Sequence, residues 1–171
     1  MAGKSLFGRA ERGSAMILIG YGNPGRGDDG LGPAFSQRLA DRAHSELEID
    51  TDYQLVAEHA LTISSHDVVV FADAQMGGET AFSFQEIAAG APEILGSHSL
   101  RPETVLALCE TLYGARPRAY VLGISGQEFG EVKEGLSERA KKNLEDAEAF
   151  FLDWLSKNTG SACQLQQRAD S

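Results

Sequence analysis

The segment "ILIGYGNPGRGDDGLGPAF", Ile17–Phe35, decides the fold, because a short apolar run passes through closely spaced glycines into a helix-like pattern. The spacing of a dinucleotide-binding loop is matched by three of these glycines, Gly20, Gly22 and Gly25. In such loops the backbone N–H groups that open the following helix bind phosphate. This loop ends instead in Asp28 and Asp29, whose negative charges would repel a phosphate. The glycines therefore need another explanation.

Strand-like and helix-like segments alternate along the chain. Strands are predicted at Met16–Gly20, Leu47–Leu55, Asp67–Ala74, Thr80–Phe84 (as an edge strand) and Arg118–Ile124. Helices are predicted after Leu31, at His59–Ser64, around Val105–Leu112 and from the N-cap Ser137. This alternation indicates an α/β sandwich with a mainly parallel sheet. Ligands of such sheets bind outside the carboxyl ends of the strands.

Length and composition narrow the possible classes of protein. The 171 residues suit one domain with a sizeable core, and we interpret 1–15 as a loose leader, 16–156 as a single α/β domain and 157–171 as a polar tail. The formal net charge of −10 argues against a nucleic-acid partner. No apolar run approaches the ~20 residues that span a membrane. The two cysteines give no sign of an oxidising compartment, which favours the cytoplasm.

Three places in the sequence are candidates for a functional site: the pair Asp28 and Asp29, then Asp73, and then His98. Asp28 and Asp29 precede a helix, so either they only cap it, or one caps while its neighbour points into a cleft as a metal ligand or acid–base group. Asp73 closes the most hydrophobic strand, where it either faces solvent or belongs to the site. His98 precedes a helix and is either a surface histidine or a ligand. Together Asp29, Asp73 and His98 would suit a borderline divalent metal such as nickel or zinc.

Five motifs occur in one order along the chain: "GYGNPGRGDDGLGP", "VVVFADA", "SHSL", "VLGI" and "GLSERAKKNLEDA". Over about Met16 to Leu155 they resemble the hydrogenase maturation endopeptidases, which process the large subunit of NiFe hydrogenases. The resemblance implies a three-layer α/β/α sandwich of the phosphorylase/hydrolase-like kind. It also implies a five-stranded, mostly parallel sheet of order 2-1-3-5-4, whose fourth strand is antiparallel. The first and third strands would then lie side by side, with Asp29 and Asp73 at one cleft.

The resemblance also assigns roles to residues. Asp29 and Asp73 are the expected catalytic carboxylates, and with His98 they are expected to bind a metal, the nickel that the substrate carries. Substrate contacts are expected at Gly22, Asn23, Glu58 and His59. The last two stand where many relatives have a loop of small residues, so they either fill space or face solvent, or they tune which hydrogenase is accepted.

The function implied is the removal of a short C-terminal extension from the nickel-loaded large-subunit precursor. A carboxylate or the metal could activate the attacking water. The expected partner is this precursor, without nucleic acid, membrane or nucleotide. Two alternatives stay open: a nickel-dependent chaperone that docks on the precursor without cutting it, and a nucleotide-binding protein, which the acidic pair disfavours.

Overall fold

The computed structural model describes residues 15–42, 45–91 and 99–169, with side chains as far as residue 159. The strands are β1 Met16–Tyr21, β2 Leu47–Asp52, β3 Val68–Met76, β4 Phe82–Ile87 and β5 Arg118–Gly126. The helices are α1 Leu31–Ala40, α2 His59–Ser64, α3 Pro102–Tyr113 and α4 Glu138–Ala169, and a 3-10 turn, Gly27–Gly30, leads into α1. Within the described residues, none of the helices combines the length and the apolar character that crossing a membrane requires.

The five strands form one sheet of order β2-β1-β3-β5-β4. All neighbouring pairs are parallel except β4 and β5, which are antiparallel. Helices α1 and α4 pack on one face, while α2 and α3 pack on the other. The predicted three-layer α/β/α architecture, the strand order and the single antiparallel strand are therefore confirmed.

Burial on both faces explains why the central strands are continuous apolar runs. Along β1, Leu18 contributes to the core under α1 and α4, and its neighbours Ile17 and Ile19 contribute to the core under α2 and α3. The same alternation holds for Val70 and Phe71 of β3. Each such side chain stabilises the fold by about 2 kcal/mol when it is removed from water. Strands covered on both faces lack the polar alternation of half-exposed ones.

Helix α1 lies unusually close to the sheet at Gly32. A Cβ atom on Gly32 would lie 2.6 Å from the carbonyl oxygen of Ala72, and it would also touch the backbone of Tyr21. Only a residue without a side chain permits this approach of a helix to two strands. The packing therefore sets the start of α1, and the turn before it, directly at the carboxyl ends of β1 and β3.

Several element boundaries differ from the predicted ones, among them that of β2, which ends at Asp52 instead of Leu55. Strand β3 continues to Met76 because it stays paired with β5 up to Gly126, so Asp73 lies inside the strand rather than at its end. Strand β4 is shifted to Phe82–Ile87. Helix α4 continues to Ala169, past the point where the polar tail 157–171 was predicted to begin, since polar residues without proline do not by themselves end a helix.

The buried carboxylate of Asp28 connects the loop after β1 with the segment between β5 and α4. Its Oδ2 accepts hydrogen bonds from the backbone N–H groups of Gln127 (2.8 Å) and Glu128 (3.0 Å) and from the Ser137 hydroxyl (2.7 Å). Its Oδ1 accepts the Ser137 N–H at 2.7 Å. Burial alone would raise the pKa of Asp28, but these bonds outweigh it and hold the pKa below the usual range. The N-cap of α1 is Gly30, so the interpretation that the aspartates cap this helix is wrong.

The other predicted cap is confirmed. The Ser137 hydroxyl accepts a hydrogen bond from the Ala140 N–H at 3.1 Å, which is the expected contact at the start of α4. Because the same hydroxyl donates to Asp28, the start of α4 is fixed relative to the loop after β1.

We expect Asp28→Asn to lower the free energy of unfolding by about 3 kcal/mol, measured by urea denaturation. An amide offers one accepting oxygen instead of two, and its NH₂ group would face an N–H donor in the buried site. The matched control is Asp153→Asn, which removes a solvent-exposed contact to Lys157 and should cost less than about 1 kcal/mol. A loss at Asp28 no larger than the control's would contradict its anchoring role.

Candidate functional site

A cleft of about 660 Å³ opens at the carboxyl ends of β1 and β3. The walls come from the end of β1 and the loop after it, from the segment that follows β2, from β3, and from the start of α3. Asp29 and Asp73 both line this cleft. The structure thus brings together the two carboxylates that the sequence singles out.

Asp29 is half-buried and is held by the backbone of its own loop. Its Oδ2 accepts a hydrogen bond from the Asn23 N–H at 2.9 Å, and the Asn23 side chain in turn accepts the Gly25 N–H at 2.9 Å. Gly22 has a φ of +143°, and a Cβ there would collide with the carbonyl oxygen of Asp29. Gly22 and Asn23 therefore position Asp29, and Gly22 also lines the cleft.

Asp73 is the more perturbed of the two carboxylates. Burial raises the pKa of Asp73 to about 6, against the effect of two hydrogen bonds, from the Tyr21 hydroxyl and from the Ala74 N–H. The Ala74 N–H lies 2.7 Å from Oδ1. The negative charge of Asp29 raises the pKa further, so the two carboxylates are close enough to repel each other. Such a pair attracts a cation.

Tyr21 is a residue of the site that the sequence analysis missed. It ends β1, lines the cleft and is hydrogen-bonded to the Asp73 carboxylate. Burial first, and then the charge of Asp73, raises the pKa of Tyr21 above its usual value, so its hydroxyl stays protonated and donates. The signal that could have revealed it is the register of β1 and β3. Gly20 pairs with Ala72, so the next residue on β1 lies level with Asp73.

In the described part of the chain, neither Glu58 nor His59 lines this cleft. His98 lies outside the described residues, so its predicted role as a ligand stays a prediction. Glu58 is exposed just before α2, and His59 is buried with its Nδ1 accepting the Val56 N–H at 2.9 Å. The segment after β2 reaches the cleft through Tyr53, Gln54 and Leu55 instead. Within residues 15–42, 45–91 and 99–169, no group of three or more His, Cys, Asp or Glu side chains could hold a metal ion.

A second cavity, of about 370 Å³, adjoins the cleft. The two cavities share Gly22 and Tyr53, and the second is also lined by Pro24 and Pro33. Tyr53 is 70% exposed at the boundary between them. The site is therefore a polar cleft with an adjacent, more apolar recess.

We expect Tyr21→Phe to raise the pKa of Asp73 by about one pH unit, because a hydrogen bond that favours the carboxylate is lost. The measurement is an NMR titration of the Asp73 carboxyl in protein treated with a chelator. Tyr120→Phe is the matched control, since Tyr120 stacks on Phe84 and does not line the cleft. An unchanged titration in Tyr21→Phe would contradict this hydrogen bond.

Comparison with solved structures identifies the fold of this chain. No protein-family model and no curated protein matches the sequence. Among solved structures, the chain is similar to the NiFe hydrogenase maturation protease HycI from Thermococcus kodakarensis KOD1, with 23% identity, a TM-score of 0.66, and coverage of 84% of this chain and 93% of that one.

Two further structures give the same result. The hydrogenase maturating endopeptidase HybD from E. coli is 19% identical with a TM-score of 0.69, and covers 84% of this chain and 93% of its own. The hydrogenase 2 maturation peptidase from Thaumarchaeota archaeon SCGC_AB-539-E09 is 17% identical with a TM-score of 0.60, covering 82% and 97%. The chain therefore has the fold of the hydrogenase maturation proteases.

Proposed function

We propose that this protein is a hydrogenase maturation endopeptidase, which removes a short C-terminal extension from the nickel-loaded large-subunit precursor of a NiFe hydrogenase. The observation that carries the proposal is the pair Asp29 and Asp73, which share one cleft at the carboxyl ends of adjacent strands. The fold shared with proteases of this kind and the sequence motifs support it. We further propose that the protein is located in the cytoplasm. Its net negative charge disfavours nucleic acid as a partner.

The charge of the cleft matches a cationic guest better than a phosphate. Two carboxylates that repel each other are stabilised when a divalent cation lies between them. Nickel is part of the substrate in this proposal, and Asp29, Asp73 and His98 would complete its coordination. A site with two hard carboxylates and no thiolate binds a borderline metal weakly. Weak binding suits the reaction, because the product must leave with its metal.

Peptide hydrolysis needs a group that accepts a proton from the attacking water. Asp29 and Asp73 are both able to do this in their ionised forms. Asp73 is oriented by Tyr21 and by the Ala74 N–H, while Asp29 is oriented by the Asn23 N–H. Both carboxylates are therefore held in place before the substrate arrives, which lowers the cost of reaching the transition state.

The substrate chain is expected to cross from the cleft into the adjoining recess. Gly22 lines both cavities, so a peptide can pass close to the backbone there, and Tyr53 offers an exposed ring beside it. Glu58 and His59 lie outside both cavities. Any role of these two residues in selecting a hydrogenase would be exerted at the outer surface of a large docked precursor.

We expect Asp73→Asn to slow precursor processing more than 100-fold, because the amide keeps the shape but loses the charge and the basicity. Mass spectrometry of the purified precursor measures the loss of the extension, and circular dichroism checks the fold. Asp67→Asn makes the same change just before β3, at the opposite end of this strand, and should process normally. Full processing by Asp73→Asn would contradict a catalytic role for Asp73.

The same assay separates the protease from the chaperone. A protease shortens the precursor, whereas a docking protein binds it and leaves its mass unchanged. Binding without any cleavage by the wild-type protein would overturn the proposed function and favour the chaperone.

We expect precursor prepared without nickel to resist cleavage and to be cleaved once nickel is restored. The free protein should purify with far less than one nickel per chain, because the cleft alone binds the ion weakly. Metal analysis of the purified protein and a time course of cleavage measure the two points. Rapid cleavage of nickel-free precursor, or tightly held stoichiometric metal, would contradict recognition of nickel on the substrate.

A further inference from the structure

Arg26 is a cation on the wall of an otherwise acidic cleft. It lies in the loop after β1 and lines the cleft together with Asp29 and Asp73. Its side chain is exposed and forms no ion pair with any residue in the described part of the chain. Other arginines pair readily, including Arg38 and Arg42, which share Glu148.

The backbone on both sides of Arg26 is fixed. The Arg26 N–H donates to the Asn23 carbonyl at 3.1 Å. Both flanking glycines are hydrogen-bonded to the backbone of Lys133. The Gly27 N–H donates to the Lys133 carbonyl at 2.7 Å, and the Lys133 N–H donates to the Gly25 carbonyl at 3.0 Å. Gly27 has a φ of +61°, and a Cβ there would lie 2.7 Å from the Glu128 carbonyl oxygen. The loop is thus constrained so that residue 26 faces the cleft.

The reaction creates one negative charge that the two carboxylates cannot stabilise. In hydrolysis the water oxygen bonds to the carbonyl carbon, a carboxylate takes one of its protons, and the carbonyl π pair moves to the oxygen. The oxyanion then re-forms the carbonyl as the C–N bond breaks, and the proton passes to the leaving nitrogen. A cation aimed at that oxygen in a partly desolvated cleft lowers the barrier.

We propose that Arg26 is a catalytic residue that stabilises this oxyanion. The proposal rests on the proposed function. Arg26 is favoured over Arg101, the other arginine on the cleft wall, because Arg101 is exposed at the N-cap of α3 and already has an interaction of its own. Arg26 in contrast has no partner among the described residues, and it shares a loop with Asp29.

The test is cleavage of nickel-loaded precursor by Arg26→Gln and Arg26→Lys. We expect Arg26→Gln to lower kcat about 100-fold with a KM within about threefold of wild type, since the charge acts only in the transition state. Arg26→Lys keeps the charge without the planar fork and should recover part of the rate. Precursor affinity, measured separately by titration calorimetry, should be unchanged in both variants.

Arg139→Gln is the matched control, because Arg139 is an exposed arginine on α4 that forms no ion pair with the described residues and does not line the cleft. It should cleave like wild type. A raised KM with unchanged kcat in Arg26→Gln, or a rate like the control's, would overturn the proposal while wild-type cleavage still upheld the protease function. A wild-type protein that never cleaves would instead overturn the protease function itself.

Discussion

The close approach of α1 to the sheet is the constraint on which the site depends. Gly32 lies against the backbones of β1 and β3, where any side chain would overlap the carbonyl groups of Tyr21 and Ala72. Gly22 allows a similar contact with the carbonyl of Asp29. The glycines therefore serve backbone packing, which brings an acidic turn to the carboxyl edge of the sheet. This packing accounts for Gly22, one of the three glycines with dinucleotide-like spacing, and the charge of the turn is unsuited to a phosphate.

The adjacent aspartates Asp28 and Asp29 of this turn have different surroundings. Asp28 is buried and accepts four hydrogen bonds, so it connects the loop after β1 with the segment that leads into α4. Asp29 accepts one hydrogen bond from the Asn23 N–H and faces the cleft. The buried carboxylate holds the two segments together, and the half-buried one lines the cleft. Sequence position alone does not distinguish them, because the difference arises from which loop each side chain meets.

The parts of the structure that local patterns control were predictable, and those that depend on distant partners were not. Apolar runs indicated β1 and β3, and the family resemblance supplied the neighbouring positions of these strands and hence the pairing of Asp29 with Asp73. Tyr21 was not predicted as a site residue, because its hydrogen bond to Asp73 depends on the register of β1 and β3. The hydrogen bonds between Asp28 and Ser137 join residues 109 positions apart, so no local sequence pattern predicts them. Strand β3 is longer than predicted because pairing with β5, rather than composition, determines where it ends.

Electrostatics in the cleft suggests how one site could reject the wrong substrate. Burial is the main cause of the raised pKa of Asp73, and the negative charge of Asp29 raises it further, so the two carboxylates repel each other in the free protein. Under the proposed function, a precursor that brings a divalent cation would relieve this repulsion as it docks. A precursor without the cation would instead cover two carboxylates with peptide and leave their charges uncompensated in a drier environment, which is costly. Under the proposed function, discrimination against nickel-free precursor thus comes from the desolvation of charges that the cleft holds ready, and needs no separate sensing element.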